Sequence, residues 1–268
     1  MAVKRKEAEK ALEDAFYNWI GSDGFKKLQK ARHLLHKYSF WNTVLLLFQR
    51  PDVTYCAGYK TWEKLGRHVK KGEKGLKVLA PITVKKEKEN VKTGDIEEKT
   101  VLVGFRWVST FDISQTEGEP INPEFEDDTP FNTKALVSAL NEMGYEIKWF
   151  RNRAPEGYVK KGENIIHIRE DLKPLQAASA MIHEWAHLNV NKELNKADEE
   201  IVVEAASYFA LAEIGADVSD YSAKYMQSWA KSKDFKDVKR VFDTAFNLAD
   251  QFVNQYRQIG DEVLCSIQ

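Results

Sequence analysis

The chain predicts an α+β protein of two domains, and three features of the sequence carry that expectation. Charge is the first. Residues 1–114 hold 23 Lys+Arg against 14 Asp+Glu, and residues 115–268 hold 17 against 27, so a net charge of −1 hides halves of opposite sign. The second is Gln115–Pro130, with six carboxylates, no base, three prolines and a glycine, which reads as an exposed linker. The third is texture: alternating β-branched runs fill the first half after residue 75, while helical periods dominate the second. The boundary falls near residue 125, giving a helical/β module over 1–125 and a second domain over 126–268.

Taken in order, Lys4–Ile20 has apolar residues at helical spacing and Gly21 as a stop. Phe25–His36 continues helical and leads into Tyr38–Phe48, a run apolar enough to be a buried helix, broken by Pro51. A short helix is expected at Tyr59–Leu65, then a glycine-punctuated hairpin around Lys70–Gly75, then strands at about 76–86 and 99–111. In the second half Thr133–Met143 is an amphipathic helix closed by Gly144. Strands follow at Tyr145–Phe150, Gly157–Val159 and Asn164–Arg169, with His167 read as a half-buried strand residue and, as the alternative, a residue lining a cleft. Helices close the chain at about 174–191, 197–214, 221–231 and 235–259, with Gly215 and Gly260 as stops; Tyr208 and Tyr225 are read as core packing, with stabilisation of an oxyanion as the other reading.

The chemistry concentrates in His183-Glu184-Trp185-Ala186-His187. Residues four apart share a helix face, so both imidazoles reach one point, and neutral imidazoles suit a tetrahedral Zn²⁺. Glu184, between them, is placed to take a proton from a water. Leu175–Val190 is small and apolar, so this helix is buried, and buried imidazoles need partners. A catalytic zinc takes three protein ligands. Glu200 and Glu204, one turn apart on the next helix, offer the third, and the other then accepts an N–H from a ligating histidine. Which does which is open. Asp198 and Glu199 suit a solvated helix start favoured by the dipole.

H-E-x-x-H followed by E-x-x-x-[D/E/N] on a second helix resembles the gluzincin metallopeptidases. The resemblance implies His183, His187 and Glu200 as zinc ligands, Glu184 as general base and Glu204 as supporting carboxylate, in a zincin-like domain over 126–268. The gap from His187 to Glu200 is short against the thermolysin-like pattern, and no transition-state-stabilising His or Tyr is assigned by motif. In metallopeptidases the strand before the active helix walls the cleft and pairs with extended substrate, a role that falls to Asn164–Arg169.

Between Lys60 and Lys77 lie seven Lys/Arg against Glu63 and Glu73, interleaved with Tyr59 and Trp62. Cations neutralise phosphates and aromatic faces stack on bases, which is how single strands are held without sequence reading. Lys70, Lys71 and Lys74 flank Gly72 and Gly75 on a loop free to present ammonium groups. Tyr59 and Trp62 either stack on bases or fill the core. The order Tyr38-Ser39-x-x-Asn42-x-x-Leu45-Leu46, Gly58-Tyr59-x-x-Trp62-x-x-Leu65-Gly66, Val69–Gly75, Leu79-Ala80-Pro81 is similar to the N-terminal domain of ArdC-like antirestriction proteins of mobile elements. Glu200-x-x-Val-Glu204 and the stretch from Asp220 to Trp229 fit their second domain. The resemblance implies a single-stranded-DNA-binding domain joined to a zinc peptidase domain with an unidentified protein substrate. The rival expectation is a non-catalytic DNA-shielding protein whose zinc domain is structural or regulatory.

Other classes recede. No run approaches the ~18 apolar residues of a membrane span, and Met1–Lys6 leads into a charged helix rather than a signal region. Cys56 and Cys265 are too few for a disulfide framework. A cytoplasmic protein without a membrane partner is expected.

Overall fold

The computed structural model describes residues 2–3, 5–20, 27–28, 31, 35, 37–89, 96–121, 132–151, 155–190, 193–218 and 224–267. The chain is α+β and divides into two compact units, residues 1–123 and 124–268. No described helix is long and apolar enough to cross a membrane.

The first unit is a β-sheet with helices against it. Helix α1 (Arg5–Ile20) and helix α2 (Phe40–Gln49) pack together through Phe16, Trp19, Phe40 and Trp41, whose rings meet at 5.0–6.2 Å. Ser39 caps α2 by accepting from the Asn42 N–H. Most of the expected helix at Phe25–His36 lies outside the described residues. Strand β1 (Ala2–Val3), β2 (Cys56–Ala57) and the long β4 (Leu76–Glu89) all pair antiparallel with β5 (Ile96–Asp112). Between β2 and β4 come helix α3 (Tyr59–Lys64) and strand β3 (Arg67–Val69).

Two expectations fail here. The glycine-punctuated segment is not a hairpin, because β3 pairs with β6 (Thr116–Gly118) rather than with β4. Arg67 fixes that distant pairing, donating to Thr116 Oγ1 at 2.8 Å and to the carbonyls of Thr116, Gly118 and Glu119. Gly118 sits at φ +130°, where an added Cβ would lie 2.4 Å from the Gly66 carbonyl oxygen, so only glycine closes the pair. For the same reason Gln115–Gly118 is not linker. Gln115 and Thr116 are buried, and a 3₁₀ turn (Ile113–Gln115) precedes β6. The remaining stretch over 122–130 lies outside the described residues.

In the second unit a three-stranded sheet, ordered β7 (Glu146–Phe150), β9 (Ile165–Arg169), β8 (Gly157–Val159), carries Ile166 and Ile168 buried in the core. Strands β7 and β9 run parallel, β8 and β9 antiparallel. Helices α4 (Thr133–Glu142), α5 (Pro174–Asn189), α6 (Lys196–Glu213), α7 (Lys224–Lys231) and α8 (Phe235–Ile267) complete the unit. Helix α8 runs through Gly260, contrary to the expected stop. One glycine costs only about 1 kcal/mol against alanine, too little to end a long helix held by packing. Tyr208 is buried as expected, whereas Tyr225 is 55% exposed and belongs to no core.

Candidate metal centre

Helices α5 and α6 build the site. Pro174 opens α5, and the buried Ala177, Ala178, Ala180 and Ala186 leave its inner face thin. Helix α6 answers with Ala205, Ala206 and Ala210, so the two backbones approach closely enough for the Ser207 hydroxyl to donate to the Ser179 carbonyl at 3.0 Å. The start of α6 is fixed from two sides. Asn195 caps it by accepting from the Asp198 N–H, and the Asp198 carboxylate takes the Arg240 guanidinium of α8 at 2.6 Å. Asp198 is therefore not a solvated helix-start acid but a buried anchor, 3% exposed.

On this scaffold His183 and His187 stand one turn apart with ring centroids 4.9 Å from each other. Their Nε2 atoms lie 3.9 and 3.8 Å from Glu200 Oε2, and one donor atom from each of the three falls within 4.8 Å of the others. Ligands at zinc-like bond lengths in a tetrahedron are roughly 3.3–3.5 Å apart, so small side-chain rotations convert this cluster into a coordination shell. Two imidazoles and a carboxylate suit a divalent metal. Glu204 is on the other side of His183, at 3.3 Å from Nδ1. The geometry thus brings Glu200, and not Glu204, to the Nε2 side. Glu199, which the sequence reading left in solvent, reaches His187 Nδ1 at 2.9 Å. No local pattern pointed to it, since its partner is twelve residues away on another helix.

Electrostatics follow this arrangement. Burial pulls the His183 imidazole down, but the bond to Glu204 and the charges of Glu184, Glu204 and Glu200 outweigh it, and the net shift is upward. Glu184 is 9% exposed, and burial pushes its carboxyl up despite the offsetting charges of His183 and His187. Its Cγ is 3.0 Å from where a Cβ on Gly157 would stand, so the β8 backbone lies directly against the side chain between the two histidines. The expected cleft wall changes with this. Strand β9 is central and has both edges occupied, so it has no edge to offer a substrate; β7 and β8 are the edge strands, and β8 is the one that lies against Glu184. His167 stacks with Tyr158, centroids 4.3 Å apart and planes 3° apart, and burial with Lys160 and Lys148 pulls its imidazole down.

The residues singled out in the first unit part company. Trp62 is fully buried, with its indole N–H donating to the Phe111 carbonyl, and it packs on Tyr55. It is a core residue and not a stacking platform. Tyr59 is 50% exposed. The Lys70–Gly75 loop is not free either. Gln115 donates to Glu73 and to the Lys74 carbonyl, the Lys70 N–H bonds the Gln115 carbonyl, and Lys70 Nζ donates to the Ser114 carbonyl. Lys71 and Lys74 are exposed.

Comparison with known proteins adds to this geometry. Residues 11–111 match the N-terminal domain of the anti-restriction factor ArdC. An uncharacterized protein of Bacillus anthracis is 26% identical over 308 residues, covering 93% of this chain and 52% of its own, so the chain spans about half the length of that curated relative. The crystal structure of the antirestriction protein ArdC from plasmid R388 in its Mn(II)-bound form superposes with a TM-score of 0.60 at 20% identity, over 92% of this chain and 97% of that one. Its metal-free form gives 0.55 at 23% identity, over 82% and 84%. The chain is ArdC-like in its N-terminal sequence and in its fold.

Proposed function

We propose that this ArdC-like chain is a cytoplasmic antirestriction protein of a mobile element, pairing single-stranded-DNA binding in residues 1–125 with a gluzincin-type zinc peptidase site in residues 126–268. The observation that carries the peptidase half is the convergence of His183, His187 and Glu200 beside a buried Glu184 that lies against an edge strand. Zinc bound there supplies Lewis acidity to a water and a carbonyl. The chain's own residues do the rest. Glu184, its carboxyl raised by burial, accepts a proton from the attacking water and returns it to the leaving amine. Strand β8 is oriented to receive an extended peptide along its outer edge. Supporting the DNA half are the excess of base over acid in residues 1–114, the exposed Lys71 and Lys74 and the exposed ring of Tyr59.

Elemental analysis of the purified chain should give one zinc per molecule, and His187→Ala should lose it; undiminished zinc in that variant would sink the ligand assignment. Glu184→Gln should abolish proteolysis while leaving oligonucleotide binding intact. A Glu184→Gln chain that still cleaves removes the base assignment, and a wild-type chain that binds DNA but cleaves nothing favours a structural or regulatory zinc domain. Replacing Lys71 and Lys74 with alanine in the full chain should flatten the dependence of log affinity on log salt by roughly 0.7 per lost phosphate contact.

A further inference from the structure

We infer that Glu199 is a positioning residue of the metal centre, holding the His187 imidazole so that Nε2 faces Glu200. The inference rests on the metal reading above and adds a residue to it. His187 and His183 are not equally supported by their own helix. Helix α5 ends at Asn189, so His187 stands in its last turn, where carbonyls run out of intrahelical partners and the backbone frays. His183 is one turn further in. The ring nearer the helix end is the one with the tighter outside hold, 2.9 Å from Nδ1 to Glu199 Oε1, against 3.3 Å from His183 Nδ1 to Glu204 Oε2.

The backbone that carries Glu199 is itself fixed. It follows directly on Asp198, whose buried carboxylate is tied to Arg240 of α8, and on the Asn195 cap. The chain from α8 through Asp198 to Glu199 therefore anchors His187 from outside its own helix. An Nδ1–H donated to Glu199 leaves the lone pair on Nε2, the tautomer that can ligate. A helix-start acid that served only the dipole would have no reason to stand within hydrogen-bond distance of an imidazole on another helix. Adjacent residues of α6 thus divide the work: Glu199 takes the far side of one ring, and Glu200 faces the Nε2 atoms of both.

The test uses the full chain, stripped of metal and titrated with Zn²⁺ against a competing chelator, then with Co²⁺ followed by its visible absorption. Glu199→Ala should weaken Zn²⁺ binding about 10–100-fold, as loss of an orienting partner does. It should also alter the Co²⁺ bands while leaving the melting temperature of the metal-free protein where it was. Glu199→Gln keeps an acceptor for Nδ1–H and should recover most of the affinity. Zn²⁺ binding by Glu199→Ala as tight as wild type overturns the inference alone. So does a loss of affinity that tracks a lowered metal-free melting temperature in both variants with the Co²⁺ bands unmoved. A wild-type chain that takes up no Zn²⁺ overturns the metal reading, and this inference with it.

Discussion

Two sheet edges in this chain are treated in opposite ways. At the start of β4 the groups of Lys77 and Leu79 that turn away from β5 are already bonded: the Asn42 side-chain amide donates to the Leu79 carbonyl at 2.9 Å and accepts from its N–H at 2.8 Å. Gln49 does the same at Lys77, at 2.8 and 2.7 Å, and Pro81 next along has no N–H to offer. Two side chains of α2 thus act as a substitute strand. Along β8 the Arg169 N–H bonds the Glu156 carbonyl, so the ladder alternates to turn the N–H and C=O of Gly157 and Val159 outward. Among the described residues nothing meets them. An edge with unpaired groups invites another strand, and proteins normally blunt it. The first unit blunts its edge over four bonds, while the second leaves its edge open beside Glu184. On the reading proposed above, that opening is where an extended substrate lies.

The contrast can be broken most severely at Asn42. Asn42→Ala strips both partners from a half-buried peptide group and should cost about 2 kcal/mol, with the Leu79 amide losing its protection in hydrogen exchange. Unchanged exchange at Leu79 would mean the amide clamp does not hold the edge. Gly157→Ala sharpens the other side. Its Cβ would stand 3.0 Å from Glu184 Cγ and 3.1 Å from the His167 carbonyl oxygen, an overpacking of about 1–2 kcal/mol in the second unit. A variant as stable as wild type would show that β8 does not press on Glu184. Gln49→Ala should have the smallest effect, about 0.5–1 kcal/mol, since Gln49 is exposed and water replaces its bonds. Combining Asn42→Ala and Gln49→Ala should add concentration-dependent light scattering; a double variant that stays monomeric would show that Pro81 and strand twist alone keep the edge closed.

These two edges also mark what the sequence could and could not give up. One-turn spacings are local, so His183/His187 and Glu200/Glu204 were legible, as were the helices and strands that begin at caps and glycines. Partners far apart in the chain were not. Arg67 finds Thr116 and Gly118 some fifty residues on, and that distant pairing turned an expected hairpin and an expected linker into one small sheet. Asp198 looked like solvated charge because its partner, Arg240, is 42 residues later on another helix. Trp62 was undecidable because a six-residue helix gives too little periodicity to say which side is inward. The stretches that carry the ArdC resemblance do legible work once folded: Tyr38 ties β2 to β5 through the Cys56 carbonyl and Thr110, Ser39 caps α2, and Asn42 meets Leu79. Those residues build the frame of the first domain.

The Ser207–Ser179 bond joins the two site helices, and the Asp198–Arg240 pair ties the second of them to α8, so the chain's own groups hold the frame of the site. A chelator should therefore leave an intact fold behind, unlike a zinc finger, whose binding free energy is its folding free energy. On the metal reading proposed above, loading and emptying are then reversible events on a standing template, governed by the supply of free metal around the protein, and occupancy can vary through the life of one molecule without the chain ever unfolding.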